Sequence, residues 1–375
     1  MRASQDWQSP VDHLSRERPD TVQLYFSPSV LQATAARFRA GFPGLVTYAV
    51  KANPSAEVLA NLSAAGITAF DVASPEEMRA VRAVNRRAVL HYNNPVRSAA
   101  EVEVAIASGV ASYSVDDAGE LAKLSAVPKG TEISVRLALP VKGAAYDFGS
   151  KFGTTPARAA ALLREVKAMG LTASLTFHPG TQCADPAAWA AYIRAAVEVS
   201  EAAGVPLARL NVGGGFAAHR WQAAPDLEAI FARIHKEVRS AFGTERPALV
   251  CEPGRAMVAE AFTLATRVKA LRADGSIFLN DGIYGGLAEA RDMPVVDRVT
   301  ALSPAGEPRL APARARVIFG PTCDSIDRLP DPLALPADLA EGDYVLFRGM
   351  GAYAQALNTG FNGYGLCTPV TVTAA

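Results

Sequence analysis

The chain has 375 residues, of which 50% are hydrophobic and 20% charged, an ordinary globular composition with room for one large and one smaller domain. Lysine plus arginine equals aspartate plus glutamate, 37 each, so no global field attracts nucleic acid or an anionic membrane. No apolar run is long enough to cross a bilayer, and Met1-Arg2-Ala3-Ser4-Gln5-Asp6-Trp7 lacks the apolar core of a signal peptide, which makes the cytoplasm the expected location.

In chain order, residues 1 to about 20 read as a polar lead-in, and Val22–Phe26 as a strand. Strand-like segments then recur at Leu45–Val50, Thr68–Ser74, Ala88–Asn94, Ser112–Asp117, Ile133–Leu139, Ser174–Gly180, Arg209–Gly215 and Ala248–Gly254. Alanine-rich amphipathic runs lie between them: Pro75–Ala83, Ser98–Ser108, Pro156–Met169, Pro186–Ala203 and Asp226–Phe242. Several open on Ser-Pro, Thr-Pro or Asp-Pro, which suits an N-cap followed by proline in the first turn. Eight strands alternating with helices predict a (β/α)8 barrel; a doubly wound open sheet is the alternative, and the count favours the barrel. After Gly254 the texture changes, and Arg314–Phe319 and Asp343–Arg348 predict a second, mainly β domain, which Val22–Phe26 can join. The predicted divisions are 1–28, 29–262 and 263–375. Cys183, Cys251, Cys323 and Cys367 lie far apart with no CxxC pair, so neither a disulfide framework nor zinc is indicated.

Chemistry in such barrels gathers at the C-terminal strand ends. Those ends carry Lys51, Asp71, Asn93 with Asn94, Asp116 with Asp117, Arg136, His178, Gly213-Gly214-Gly215 and Glu252. Lys51 closes an apolar strand before an Asn-Pro stop; such a lysine either snorkels outward or works as a neutral amine able to form a Schiff base with a carbonyl compound. The triple glycine can bring backbone N–H groups close to an anion, and Glu252-Pro253-Gly254-Arg255 sets a cation beside it. A glycine-rich turn is by itself more often only a turn, and His178 alone reads equally as a satisfied strand-end histidine.

Taken together, the motifs resemble the fold type III pyridoxal-phosphate decarboxylases, the ornithine/lysine/diaminopimelate decarboxylase family. They are Tyr48-Ala49-Val50-Lys51-Ala52-Asn53, Phe70-Asp71-Val72-Ala73-Ser74, Lys151-Phe152-Gly153, Gly213-Gly214-Gly215-Phe216, Glu252-Pro253-Gly254-Arg255, Asn280-Asp281-Gly282-Ile283-Tyr284-Gly285, Gly320-Pro321-Thr322-Cys323-Asp324-Ser325, Gly351-Ala352-Tyr353 and Phe361-Asn362-Gly363. The resemblance implies that Lys51 carries pyridoxal 5'-phosphate, Glu252 pairs with its ring nitrogen and His178 stacks on its ring. It assigns the phosphate to Gly214, Gly215, Arg255, Tyr353 and Thr181, counts Gly213 and Gly254 among the cofactor-binding residues, and has Asp71 and Arg136 orienting Lys51 and the ring. It further implies a head-to-tail homodimer, with Cys323 and Asp324 reaching into the partner's site and Cys323 acting as the proton donor after carbon dioxide leaves.

By the same resemblance Asp324 favours a distal ammonium, hence L-ornithine and then L-lysine. The segment after Tyr284 departs from the family pattern. Asp292 stands about one residue out of register with a second acid, Arg291 offers a cation that could accept an anion instead, and Phe361 lies in the last shared motif. An unusual or acidic amino acid is therefore the alternative substrate. Alanine racemase has a related barrel but uses a tyrosine base and an arginine at the ring nitrogen, and cofactor carriers of this kind are usually a barrel alone.

Overall fold

The first turns follow directly from side-chain chemistry. Ser74, Thr155 and Asp185 accept hydrogen bonds from the backbone N–H groups of Glu77, Arg158 and Ala187, with proline next in sequence, and open helices Pro75–Val84, Pro156–Ala168 and Pro186–Ala203. Ser98 and Glu101 close a reciprocal capping box at the head of Ala99–Ala107. The computed structural model describes residues 7–141, 151–221, 223–365 and 368–374; residues 1–6 of the lead-in and Cys367 lie outside these. The chain divides into two units, one of Ala35–Ala217 and Pro225–Met257, the other of Met1–Thr34, Ala218–Ala224 and Val258–Ala375.

Strand β1 (Gln23–Phe26) belongs to the second unit. The first unit contains β2 (Leu45–Ala49), β3 (Ala69–Val72), β4 (Val89–Tyr92), β5 (Ser112–Val115), β6 (Glu132–Leu137), β7 (Thr172–Phe177), β8 (Arg209–Asn211) and β9 (Ala248–Cys251). They form a closed barrel of parallel neighbours, sealed where Leu45 of β2 pairs with Val250 of β9. The barrel is thus confirmed over the open sheet. Each strand is shorter than the sequence suggests, because the chain leaves the hydrogen-bonded ladder before the expected C-terminal end. Helix Leu227–Phe242 buries Ile230, Phe231, Ile234 and Val238, and Phe38, Phe216 and Phe231 meet edge to face.

The other unit holds β10 (Phe262–Leu271), β11 (Ile277–Leu279), β12 (Val299–Leu302), β13 (Ala313–Arg316), β14 (Ile318–Phe319), β15 (Leu333–Pro336), β16 (Tyr344–Arg348) and β17 (Val370–Thr371). A seven-stranded sheet runs β12-β16-β10-β1-β17, with β11 joining β10 to β14. The expected early strand pairs with β10, Gln23 facing Ala265. A register shift between Val268 and Ala270 lets β10 serve both β16 and β11. Arg314–Phe319, read as one strand, is two: β13 pairs with β15 and β14 with β11, with Val317 between them exposed. The polar lead-in is corrected as well. Pro10–Glu17 is a helix capped by Ser9, and Trp7 and Leu14 pack with Tyr25, Tyr344 and Val372 in the core of the sheet. One short apolar face on an eight-residue helix is too little for periodicity to disclose. No helix among the described residues is long and apolar enough to cross a membrane.

Candidate active site

The strand bearing Lys51 stops at Ala49, and a single 3-10 turn, Val50–Ala52, carries the lysine off the barrel wall. Lys51 is therefore exposed to an open cleft rather than held within the strand end. The turn is braced from the facing strand: Ala49 N–H donates to the Pro253 carbonyl at 3.2 Å, and a Cβ on Gly254 would lie 3.1 Å from that of Ala52. Gly254 thus permits the Glu252-Pro253-Gly254 turn to approach Lys51.

Beyond β8, Gly213 has φ +73 and Gly215 φ +82, and a Cβ on them would come within 2.1 Å of the Phe177 carbonyl oxygen and 2.4 Å of that of Gly180. No L-residue with a side chain fits this close pass of loop on loop. Trp189 secures it by donating to the Val212 carbonyl at 3.2 Å. Gly214 lies in the same loop, Thr181 is buried, and Arg255 is buried at the start of the short helix Arg255–Val258.

A cleft of about 240 Å³ opens at this end of the barrel, lined by Lys51, Asp71, Asn93, Arg136, His178 and Glu252 among others. Burial first, then the Glu252 carboxylate, pushes the Asp71 carboxyl well above its usual range, with Lys51 opposing. Burial, with the Arg136 and Lys51 charges behind it, holds His178 well below its ordinary value, so the imidazole is neutral. Gly180 N–H donates to His178 Nδ1 at 3.1 Å, which places the ring proton on Nε2. The Arg136 guanidinium sits 5.3 Å from the Phe152 ring centroid. Asp116 accepts from Gly153 N–H at 2.8 Å and so ties the Lys151-Phe152-Gly153 segment to β5. Asn93 and Asn211 both donate to Glu252 Oε1, Asn93 at 3.0 Å. The sequence named Asn93 only as a strand end and passed over Asn211, the last residue of β8; a polar residue directly before the glycine loop was the available signal.

In the sheet unit, Tyr284 Oη donates to Asp324 Oδ2 at 2.6 Å, and Ile326 N–H donates to Oδ1 at 3.1 Å. These bonds hold the Asp324 carboxyl below its usual range. Cys323 is exposed, and its N–H donates to Asn362 Oδ1 at 3.1 Å. Phe361 stands 4.9 Å from the Tyr284 ring. Tyr353 adopts φ +65. Arg291 and Asp292 line a separate groove of about 460 Å³ with Pro330–Ala334, and Arg291 Nε donates to the Ala288 carbonyl at 3.0 Å. Cys323, Asp324, Tyr284 and Phe361 are thus gathered together, whereas Arg291 and Asp292 face the other groove.

Residues 29–259 match the family model of the pyridoxal-binding domain of pyridoxal-dependent decarboxylases. The chain belongs to that family. Its relatives include decarboxylase flvG of Aspergillus flavus, 32% identical over 84% of this chain and 77% of the relative. Ornithine decarboxylase 2 of Drosophila melanogaster is 33% identical over 84% of this chain and 82% of the relative. A crystal structure of a mutant Selenomonas ruminantium lysine decarboxylase in complex with pyridoxal phosphate superimposes with a TM-score of 0.86 at 29% identity, covering 99% of this chain and 96% of that one. The protein is a pyridoxal-phosphate-dependent decarboxylase, and its residues fit that cofactor. The barrel rim of the decarboxylase offers an exposed amine, a flat neutral imidazole and a glycine loop too close-packed for side chains. Beside them Asp71 Oδ1 is buried without a hydrogen-bond donor, an acceptor left for a group the protein does not itself supply.

Proposed function

We propose that this decarboxylase acts on an L-amino acid with a distal ammonium, ornithine ahead of lysine, releasing carbon dioxide and putrescine or cadaverine. The observation that carries this reading is the Tyr284–Asp324 hydrogen bond of 2.6 Å. It orients a carboxylate that Ile326 N–H also supports, a ready partner for a cation and a poor one for a side-chain acid. Relatives named for ornithine and lysine agree with this preference.

In this reading Lys51 Nζ is the amine that would hold the cofactor. Glu252 would pair with the ring nitrogen, neutral His178 would stack on the ring, and Gly213, Gly214, Gly215, Gly254, Arg255, Thr181 and Tyr353 would hold the phosphate end. Asp71 and Arg136 orient the lysine and the ring. When bound, the cofactor supplies an electron-accepting ring that takes up the electron pair of the breaking bond to carbon dioxide. Cys323 Sγ then delivers a proton to the substrate carbon. Cys323 and Asp324 serve the site of a second copy in a head-to-tail homodimer; the exposure of Cys323, and of Ile326 at 64% beside it, supports a surface meant to be covered.

A panel assay of carbon dioxide release and amine identity tests the reading, with L-ornithine, L-lysine, L-arginine, meso-diaminopimelate and acidic amino acids as substrates. A preference for ornithine or lysine supports it. Turnover confined to acidic amino acids transfers the specificity to Arg291, which stands exposed on a groove of its own.

A further inference from the structure

Glu252 Oε1 accepts two amide hydrogen bonds. Asn93 Nδ2 donates to Oε1 at 3.0 Å from the end of β4, and Asn211 Nδ2 donates to the same atom from the end of β8. Neither amide is loosely placed. Asn211 Oδ1 accepts the Gly213 N–H at 2.9 Å, so its NH2 must face Glu252. The Asn93 carbonyl accepts from Ser114 Oγ at 2.8 Å, and its N–H donates to the Val72 carbonyl at 3.3 Å, which pins the end of the strand.

Two N–H donors use both lone pairs of Oε1, so that oxygen cannot carry a proton. We propose that Asn93 and Asn211 are positioning residues that hold Glu252 as a hydrogen-bond acceptor and turn Oε2 toward a protonated heteroaromatic nitrogen. This rests on the reading of Glu252 as the partner of the cofactor ring nitrogen, and it supplies what that reading lacks. Asn211 also couples Glu252 to the glycine loop through Gly213, so the ring-nitrogen contact and the anion cradle are set by one side chain.

The test uses the full-length apoprotein and two probes, pyridoxal phosphate and its 1-deaza analogue, in which C–H replaces the ring nitrogen. The quantity read is the ratio of their dissociation constants. The expected result is that Asn93→Leu, close to isosteric but without a donor, lowers this preference about tenfold, while binding of the deaza analogue stays within about twofold of the parent. Asn93→Ala serves the same purpose should the leucine variant fail to fold. If both variants keep the parent ratio, the positioning role is overturned. If the parent itself binds the two probes equally, the assignment of Glu252 to the ring nitrogen falls, and this inference with it. A structural role alone would weaken both probes in proportion and leave the ratio unchanged.

Discussion

Tyr284 Oη and Asp324 Oδ2 lie 2.6 Å apart, the phenol donating to the carboxylate. Forty residues separate them in the chain, and the Phe361 ring packs against the same tyrosine. The phenol therefore fixes the direction of the carboxylate that would receive a distal ammonium. Tyr284→Phe keeps the ring contact and removes the donor. The expected outcome is a rise in KM for ornithine and lysine of about fivefold with kcat nearly unchanged, a modest effect because the pair is open to solvent. An unaltered KM for both substrates would separate Asp324 from specificity.

The exposed position of Lys51 leads to a covalent test. Borohydride treatment of the cofactor-loaded protein should fix a pyridoxyl group on Lys51, detected by peptide mass mapping. Lys51→Ala should lose the visible absorbance of the lysine-bound cofactor and any reducible attachment. Reduction onto a different lysine in the parent protein would remove Lys51 from the role.

Much of this site was legible before any coordinates because barrel strands place chemistry locally. Lys51, His178, the glycine loop and Glu252 each close or follow a strand whose apolar run announces it, and the Ser-Pro, Thr-Pro and Asp-Pro pairs cap helices where they stand. What stayed hidden depends on closure. Asn93 and Asn211 meet at Glu252 across sequence gaps of 159 and 41 residues, a convergence created by strands β4, β8 and β9 sharing one barrel. The turn that exposes Lys51 is set by packing against Pro253 and Gly254, and the break at Val317 by two strands choosing different partners. The helix Pro10–Glu17 escaped because its stabilising partners, Tyr344 and Val372, lie more than three hundred residues away.

Cys323 is an exposed thiol whose backbone N–H is anchored to Asn362. In the proposed role of proton donor to the substrate carbon, it would decide where the proton arrives rather than whether substrate binds. Cys323→Ala is expected to lower amine production at least tenfold, to raise the share of transaminated product and to leave cofactor affinity within about twofold. Quantifying amine and carbonyl products from one incubation checks this. An unchanged partition would assign the proton to another group.

His91 is buried on β4, paired in register with Asp71 of β3, and its Nδ1 lies 2.7 Å from Ser112 Oγ. Its Nε2 is buried with no hydrogen-bond partner. Burial, reinforced by the Arg209 charge, pushes the imidazole from its ordinary 6.5 down to about 4. The sign follows from proton uptake. Above pH 6.5 both the folded and the unfolded chain keep this histidine neutral, and it adds no pH dependence. Between 6.5 and about 4 the unfolded chain takes up a proton that the folded barrel refuses, so stability falls as the pH falls, by on the order of 3 kcal/mol across the full window. His91→Asn keeps a polar partner for Ser112 and cannot titrate. Between about pH 7.5 and pH 5 its Tm should therefore drop by about 3 °C less than that of the parent. Parallel declines in the two proteins would show that His91 is not the group through which acid loosens the barrel.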